Sequence, residues 1–458
     1  MTLNIDKNLI QKYNKPGPRY TSYPTAPYFK TVNGDREVLR QISQNNLTHE
    51  RDLSLYFHLP FCDSLCWFCA CTSLVTKKCE TIDEYLRYVM KEIDLISTRI
   101  HPGKKVVQLH FGGGTPTYLS PDQICMLGNK IKESFTFAED AEVGCEMDPR
   151  DLTEDHITAL KALGVTRASI GVQDFNPKVQ AAINRFNSVQ LVGQVISWLR
   201  KHEFTSINID LVYGLPLQTA NMFSQTLSSI LKLDPDRFAV FNYAHVPWLK
   251  PHQKLINERD LPSPDEKIEL LTLIIETLTA KGYIYIGMDH FAKENNELAI
   301  AMEQKRLQRN FQGYSTKAGT DIYAFGMSSI SQLERSYSQN YKNMESYYNC
   351  LNNDTLPIEK NLYLSDDDII RRKVIMTIMC DYSINFKKIS NCFTIDFSYY
   401  FESELRQLKP FIDDSLLILN QNGFTVTERG VLFIRNIAMV FDAYLSSQLS
   451  EKRFSRTV

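Results

Sequence analysis

From Leu53 onward, short apolar runs alternate with longer stretches whose apolar residues recur at helical spacing. The runs predict strands over Leu53 to Leu59, Val106 to Phe111, Ala141 to Met147, Arg167 to Val172, Ser206 to Val212 and Arg237 to Asn242. Helices are predicted between them, over Asp83 to Arg99, Pro121 to Phe135, Glu154 to Leu163, Val189 to Lys201 and Met222 to Leu233. Such βα repetition predicts the α/β class: parallel strands with right-handed crossovers, forming a partial, TIM-like (β/α) barrel. Chemistry in a barrel sits at the carboxyl ends of the strands. A doubly wound sheet would give the same alternation but gather its ligand at one switch point.

The pattern changes at both ends. Gly17-Pro-Arg-Tyr-Thr-Ser-Tyr-Pro-Thr25 is too rich in proline and turn formers for a helix, so residues 1–50 are expected to form an extended N-terminal arm. The barrel domain is expected over 51–360. Asp366-Asp-Asp368 suits the start of a helix running through Arg372. Leu416 to Leu419 and Phe424 to Thr427, joined through Asn422-Gly423, read as a hairpin leading to a last helix near Phe433 to Leu445. Residues 361–458 are therefore expected to be a mainly helical, winged-helix-like C-terminal domain. It lacks a basic stripe, which favours capping the barrel over binding nucleic acid.

The 458 residues are 43% hydrophobic and 23% charged with a formal net charge of -2, ordinary for a globular protein. No global field draws the chain to nucleic acid or an anionic membrane, so an anionic ligand needs a local pocket. Met1-Thr-Leu-Asn-Ile-Asp does not read as a secretory leader, and the apolar run from Ile268 to Leu278 is broken by Glu269 and Glu276. A cytoplasmic protein without membrane insertion is expected.

Four of the ten cysteines fall within ten residues, as Cys62-Asp-Ser-Leu-Cys66-Trp-Phe-Cys69-Ala-Cys71. The C-x3-C-x2-C spacing of the first three lets one short loop wrap three corners of a cubane 4Fe-4S cluster, leaving its fourth iron open. A structural zinc site would take a second ligand pair from elsewhere in the chain. The other six cysteines are scattered singly, with no second pair among them, and most are expected to be buried small hydrophobes.

Polar and glycine residues cluster where the predicted strands end. Gly112-Gly113-Gly114-Thr115 permits close backbone approach to a ligand, though it also suits a plain strand-to-helix turn. Glu146, Gln173, Arg185 and Asp210 could hold ribose hydroxyls and the amino-acid part of a sulfonium ligand; taken singly, each could equally be a surface residue. Tyr56 and His58 alternate with apolar residues on the first strand, where His58 reads either as a satisfied core histidine or as a functional one.

Specific strings then carry a resemblance over nearly the full length. Gly17 to Thr25, the cysteine loop, Gln108-Leu-His-Phe-Gly-Gly-Gly-Thr-Pro-Thr-Tyr118, Gly171-Val-Gln-Asp-Phe175 and Asn208-Ile-Asp-Leu-Val-Tyr-Gly-Leu-Pro216 resemble the oxygen-independent coproporphyrinogen III oxidase family of radical S-adenosylmethionine (SAM) enzymes. Phe241 to His245, Gly287 to Ala292, Arg309 to Tyr314 and Phe454 to Arg456 extend the likeness.

The resemblance implies a barrel of the radical SAM type and oxidative decarboxylation of two propionates of coproporphyrinogen III, giving protoporphyrinogen IX for haem. A 5′-deoxyadenosyl radical made from SAM at the cluster would begin each decarboxylation. It also implies Cys62, Cys66 and Cys69 as cluster ligands, and Tyr56, Gly113, Glu146 and Ile330 as contacts of the SAM on the open iron. Phe68, Gly114, Thr115, Gln173, Arg185, Asp210 and Ala244 would line a second SAM site. Cys71, Phe311 and Gln312 join Tyr56 and His58 as residues expected near the chemistry. A reductase or flavodoxin-type electron donor and an electron acceptor are implied as well; a monomer is expected, and the charge balance gives no nucleic-acid partner.

Arg19, Arg371 and Arg372 are candidates for the substrate carboxylates, for which arginine's forked geometry is suited. Where the family commonly has Gly and Asn around the fourth cysteine this chain has Ala70 and Thr72, and Trp67 replaces a more usual Tyr. If position 70 needed a positive φ, alanine would cost about 1 kcal/mol. Rival readings are a radical SAM enzyme acting on another tetrapyrrole and a related haem-binding chaperone. The chaperone typically lacks the fourth cysteine and the Gly17-Pro-Arg-Tyr arm, both of which are present.

Overall fold

The structure is a computed structural model that describes residues 6–445, 454, 456 and 457. It divides into two units. The larger comprises Phe29–Leu271 and Gly319–Tyr363; the smaller takes in the chain up to Tyr28, Thr272–Ala318 and the chain from Leu364 on.

In the larger unit, six parallel strands follow one another in sequence order: β1 (Leu53–Leu59), β2 (Val106–Gly113), β3 (Phe137–Met147), β4 (Arg167–Gln173), β5 (Ser206–Tyr213) and β6 (Arg237–Asn242). The other edge of β1 pairs in parallel with β7 (Asp321–Phe325), which continues into antiparallel β8 (Ile330–Gln332), β9 (Ser336–Asn340) and β10 (Ile358–Tyr363). The strand order never reverses from β1 to β6, which sets aside the doubly wound alternative. Nor do β6 and β7 pair with each other, so the barrel is partial.

Local chemistry explains where the crossover helices begin. Ser120 caps α2 (Pro121–Ser134) in a capping box with Gln123, after α1 (Cys79–Ser97). Further on, Thr153 precedes α3 (Glu154–Leu163), Asn176 caps α4 (Pro177–Ile183), Ser188 caps α5 (Val189–Lys201) and Thr219 caps α6 (Ala220–Leu231). The α4 helix was not expected. It is short, and the left-handed Asn184 (φ 53°) ends it.

Within the smaller unit, Gly17–Thr25 is free of helix as expected, although helix Lys7–Tyr13 precedes it. Buried Arg435 donates to the Gly17 and Pro18 carbonyls and holds this stretch. Ser365 caps Asp366–Asp381, and strands Ser383–Asn385, Gly423–Val426 and Leu417–Asn420 form a small antiparallel sheet beside short helices. The last helix is shorter than expected, Ile434–Met439, after a 3₁₀ turn.

The expectation that most of the six scattered cysteines are buried is overturned. Only Cys145 and Cys380 are buried, Cys350 is half-buried, and Cys79, Cys125 and Cys392 are exposed. Those three occupy the first turn or the solvent face of amphipathic helices, whose apolar positions go to larger residues such as Ile82, Ile124 and Ile389. Among the described residues, no helix is long and apolar enough to cross a membrane.

Candidate active site

The site is built on the ends of β1 and β2. Gly114 N–H donates to Leu59 O at 2.9 Å and Thr115 N–H to Phe61 O at 2.7 Å, so the glycine turn is stitched to the start of the cysteine loop. Gly113 has φ +123°, and a Cβ there would stand 2.9 Å from the backbone of Leu59; one on Gly114 would stand 2.5 Å from Pro60 O. Glycine is thus required for backbone-on-backbone approach as well as for access to the cavity that Gly113 and Gly114 line.

Cys62, Cys66, Cys69 and Cys71 line one cavity of about 180 Å³ together with Phe68, Gly113, Gly114, Thr115, Glu146, Gln173, Arg185 and Asp210. Each of the first three thiols faces a donor. Thr115 Oγ1 lies 3.5 Å from Cys62 Sγ, Arg185 Nη1 3.5 Å from Cys66 Sγ, and Cys71 N 3.4 Å from Cys69 Sγ. The hydrogen bond from Cys71, with Lys250 and His252 reinforcing it, holds the Cys69 pKa below its ordinary value against the effect of burial. Burial pushes Cys62 up to about 11.

Beneath Cys66 lies an ion network that the sequence reading missed. Asp148 accepts from Arg185 Nη1 at 2.9 Å and Arg150 Nη2 at 2.6 Å, and Arg150 also reaches Ser64 Oγ at 3.2 Å. Burial works to raise the Asp148 pKa, but the charge of Arg185 and the hydrogen bond from Arg150 prevail and lower it. Arg185 itself enters the site just after left-handed Asn184, whose amide donates to Leu65 O at 2.9 Å.

The other predicted residues find distinct places. Gln173 stands at a register shift between β4 and β5 with φ +69°, a bulge of the kind that re-aims a side chain. Glu146 accepts from Gly113 N–H at 3.3 Å. Asp210 accepts from Ser169 Oγ at 2.9 Å and Asn208 Nδ2 at 2.7 Å; burial, then the charge of Glu146, still push its pKa up to about 7. Ile330 starts β8, the strand next to β7, whose Ala324 pairs with Tyr56. Ala244 follows β6.

His58 is buried and has partners on both ring nitrogens, as the satisfied-core reading expects. Its Nε2 lies 2.9 Å from the Thr72 carbonyl, which can only accept; Nε2 therefore carries the proton, and Nδ1 accepts from Tyr56 OH at 3.2 Å. Phe311 and Gln312 belong to the smaller unit, at the turn between strands Gln308–Asn310 and Gly313–Ser315. In that unit Arg19 pairs with Asp289, and Arg371 is taken up by Asp367, Glu404 and the Phe441 carbonyl.

The Radical SAM superfamily profile matches residues 56–230, and the HemN C-terminal domain profile matches 364–433. A relative from Helicobacter pylori strain J99, named oxygen-independent coproporphyrinogen III oxidase, is 45% identical over 457 residues, covering 99% of both chains. This chain belongs to the oxygen-independent coproporphyrinogen III oxidase family. Family members from Synechocystis and Escherichia coli are 43% and 42% identical, each over 100% of this chain and 99% of their own length. The solved structure of the Escherichia coli coproporphyrinogen III oxidase, described as a radical SAM enzyme, superposes with a TM-score of 0.92 at 41% identity, covering 97% of this chain and 100% of its own.

Enzymes of this oxidase family use a 4Fe-4S cluster and SAM. The residues present fit both groups. A cubane takes its thiolates on separate corners, so it calls for three cysteines set around one cavity. Three thiols facing one cavity, each with its own donor, match that demand. The buried Nε of Arg185 has no protein partner, leaving a donor for a polar ligand at the cavity wall.

Departures from the family pattern are accommodated. Ala70 is not among the residues with positive φ, so the expected penalty does not arise. Thr72 contributes its carbonyl, which any residue supplies. Trp67 packs against the apolar cluster of Val179, Ile183, Val212, Leu215, Tyr243 and Ile256, where a large ring is useful and a hydroxyl is not needed.

Proposed function

We propose that this protein carries out oxygen-independent oxidative decarboxylation of coproporphyrinogen III, converting two propionate side chains to vinyl groups in haem synthesis. The observation that carries the reading is the single cavity shared by Cys62, Cys66, Cys69, the glycine turn, Glu146, Gln173, Arg185 and Asp210. Cys62, Cys66 and Cys69 would hold the cluster, leaving one iron open. When bound, the cluster and SAM supply the one-electron cleavage that starts hydrogen removal from a propionate.

The chain's own residues provide placement. Tyr56, Gly113, Glu146 and Ile330 are assigned to the SAM on the open iron. Carboxylate acceptors such as Glu146 suit an ammonium group, and Gly113 permits close approach. Phe68, Gly114, Thr115, Gln173, Arg185, Asp210 and Ala244 are assigned to a second SAM, whose ribose hydroxyls and carboxylate match Asp210 and the spare Arg185 Nε. Tyr56 and His58, held together by their hydrogen bond, are assigned with Cys71, Phe311 and Gln312 to the vicinity of the reacting carbon.

Each vinyl group requires loss of carbon dioxide, one hydrogen atom and one further electron. An acceptor takes that electron, and a flavodoxin-type donor supplies the cluster. We place the protein in the cytoplasm as a monomer, in keeping with the reducing conditions that free thiols need.

The test is anaerobic turnover of the reconstituted protein with coproporphyrinogen III, SAM and a reductant. Vinyl porphyrins and 5′-deoxyadenosine forming together support the assignment. Deoxyadenosine without decarboxylation points to another substrate, and neither product from a fully loaded cluster contradicts the reading.

A further inference from the structure

The stretch 250–253, beyond the Phe241 to His245 string at the end of β6, carries none of the motifs discussed so far, yet three of its side chains close on the cysteine loop. Lys250 Nζ donates to Cys71 O at 2.9 Å, His252 Nε2 lies 2.7 Å from Cys69 O, and Gln253 Nε2 donates to Phe68 O at 3.0 Å. Gln253 differs from the other two in being wholly buried, at 0% exposure. The second N–H of its amide reaches Ala244 O at 3.3 Å, and its Oε1 accepts from Val246 N–H at 2.6 Å. One side chain therefore saturates three main-chain groups, on two segments remote in sequence.

We propose that Gln253 is a positioning residue for the cluster loop. It fixes the Cys66–Cys69 turn against the exit of β6 before any cluster binds. The opposite side of the turn is held independently, by Trp67 N–H on Ile183 O at 3.0 Å and Asn184 on Leu65 O. Releasing the Gln253 side frees the turn to move about that second anchor. Leucine at 253 would fill the volume and leave the Phe68 and Ala244 carbonyls and the Val246 N–H without partners, an arrangement that main-chain movement would relieve. Asparagine keeps the amide but is one methylene too short to span both carbonyls. The inference rests on Cys62, Cys66 and Cys69 being the cluster ligands.

The test uses the full-length protein, with Gln253→Leu and Gln253→Asn beside wild type and Cys62→Ala. Alkylation of each cysteine in the cluster-free protein is followed by mass spectrometry, and SAM is titrated into the reduced, reconstituted protein by electron paramagnetic resonance. In Gln253→Leu, Cys66 and Cys69 are expected to react faster by on the order of tenfold or more, the scale of three lost hydrogen bonds. Buried Cys145 and Cys380 stay protected, and the SAM needed for half the spectral change rises by a similar factor. Gln253→Asn moves in the same direction by less, and it carries the test should the leucine variant not fold.

Wild-type rates and titration in both variants would overturn the inference. Loss of protection at Cys145 and Cys380 along with the loop would also overturn it, since that marks general loosening. Should Cys62→Ala keep wild-type iron and spectrum, the cluster assignment fails and takes this inference with it. If Cys62→Ala loses its cluster while the Gln253 variants match wild type, only the role of Gln253 is refuted.

Discussion

His58 donates through Nε2 to the carbonyl oxygen of Thr72 at 2.9 Å, tying the end of the first barrel strand to the exit of the cysteine loop. The bond uses main chain on the Thr72 side. Thr72→Asn is therefore expected to change unfolding free energy by less than about 0.5 kcal/mol. His58→Leu, which strands the Thr72 carbonyl and the Tyr56 hydroxyl, should cost about 2 kcal/mol. Denaturant unfolding of the cluster-free protein measures both, and equal losses would contradict the main-chain account.

Ala70 lies outside the left-handed region, so glycine at this position relieves nothing. Ala70→Gly should instead destabilise by about 0.5–1 kcal/mol through the added freedom of the unfolded chain. A gain in melting temperature or in iron retention would show that the loop is strained at this residue after all.

Asp148 compensates two guanidinium groups next to Cys66. Asp148→Asn leaves the buried Arg185 and the half-buried Arg150 without their carboxylate, and a loss of about 3 kcal/mol or more is expected. Burial raises the Asp148 pKa, but Arg185 and Arg150 bring the net value below its ordinary level, so the stability it contributes holds above that level and disappears as pH falls through the folded-state value. In acid, wild type and Asp148→Asn should therefore converge in denaturant midpoint. A constant gap down to the acid limit would count against the ion network.

Glu92 shows the opposite sign. It is buried and accepts from Gly326 N–H, Tyr347 OH and Asn340 Nδ2, yet burial outweighs these bonds and raises its pKa to about 7. The native state keeps a proton that the unfolded chain releases between the ordinary value of 4.5 and about 7. Across that window stability should therefore rise on acidification, by at most about 1.4 kcal/mol per pH unit. Glu92→Gln should flatten this slope in pH-dependent thermal melts. An unchanged slope would mean that Glu92 stays charged in the fold.

Much of the architecture was legible in the chain. The six predicted strands are present because each is a concentrated apolar run, and their consecutive order follows from the βα alternation. Ends were less exact: β3 starts at Phe137 rather than Ala141, because polar Glu139 and Asp140 interrupt its apolar pattern. At the site, the cysteine spacing and the strand-end polar residues were readable because they are local. Asp148 was visible at the end of its strand, but its partnership with Arg185 spans 37 positions and leaves no periodic trace. Gln253 is the extreme case, a lone glutamine whose partner Phe68 lies 185 residues away.

Iron-57 Mössbauer spectroscopy of the anaerobically reconstituted protein, with and without SAM, tests the central claim most directly. Three thiolate ligands leave one iron of the cubane distinct, so one quarter of the iron signal should shift when SAM is added while three quarters stay in place. Four equivalent irons that ignore SAM, or a spectrum unchanged by Cys62→Ala, would contradict the account.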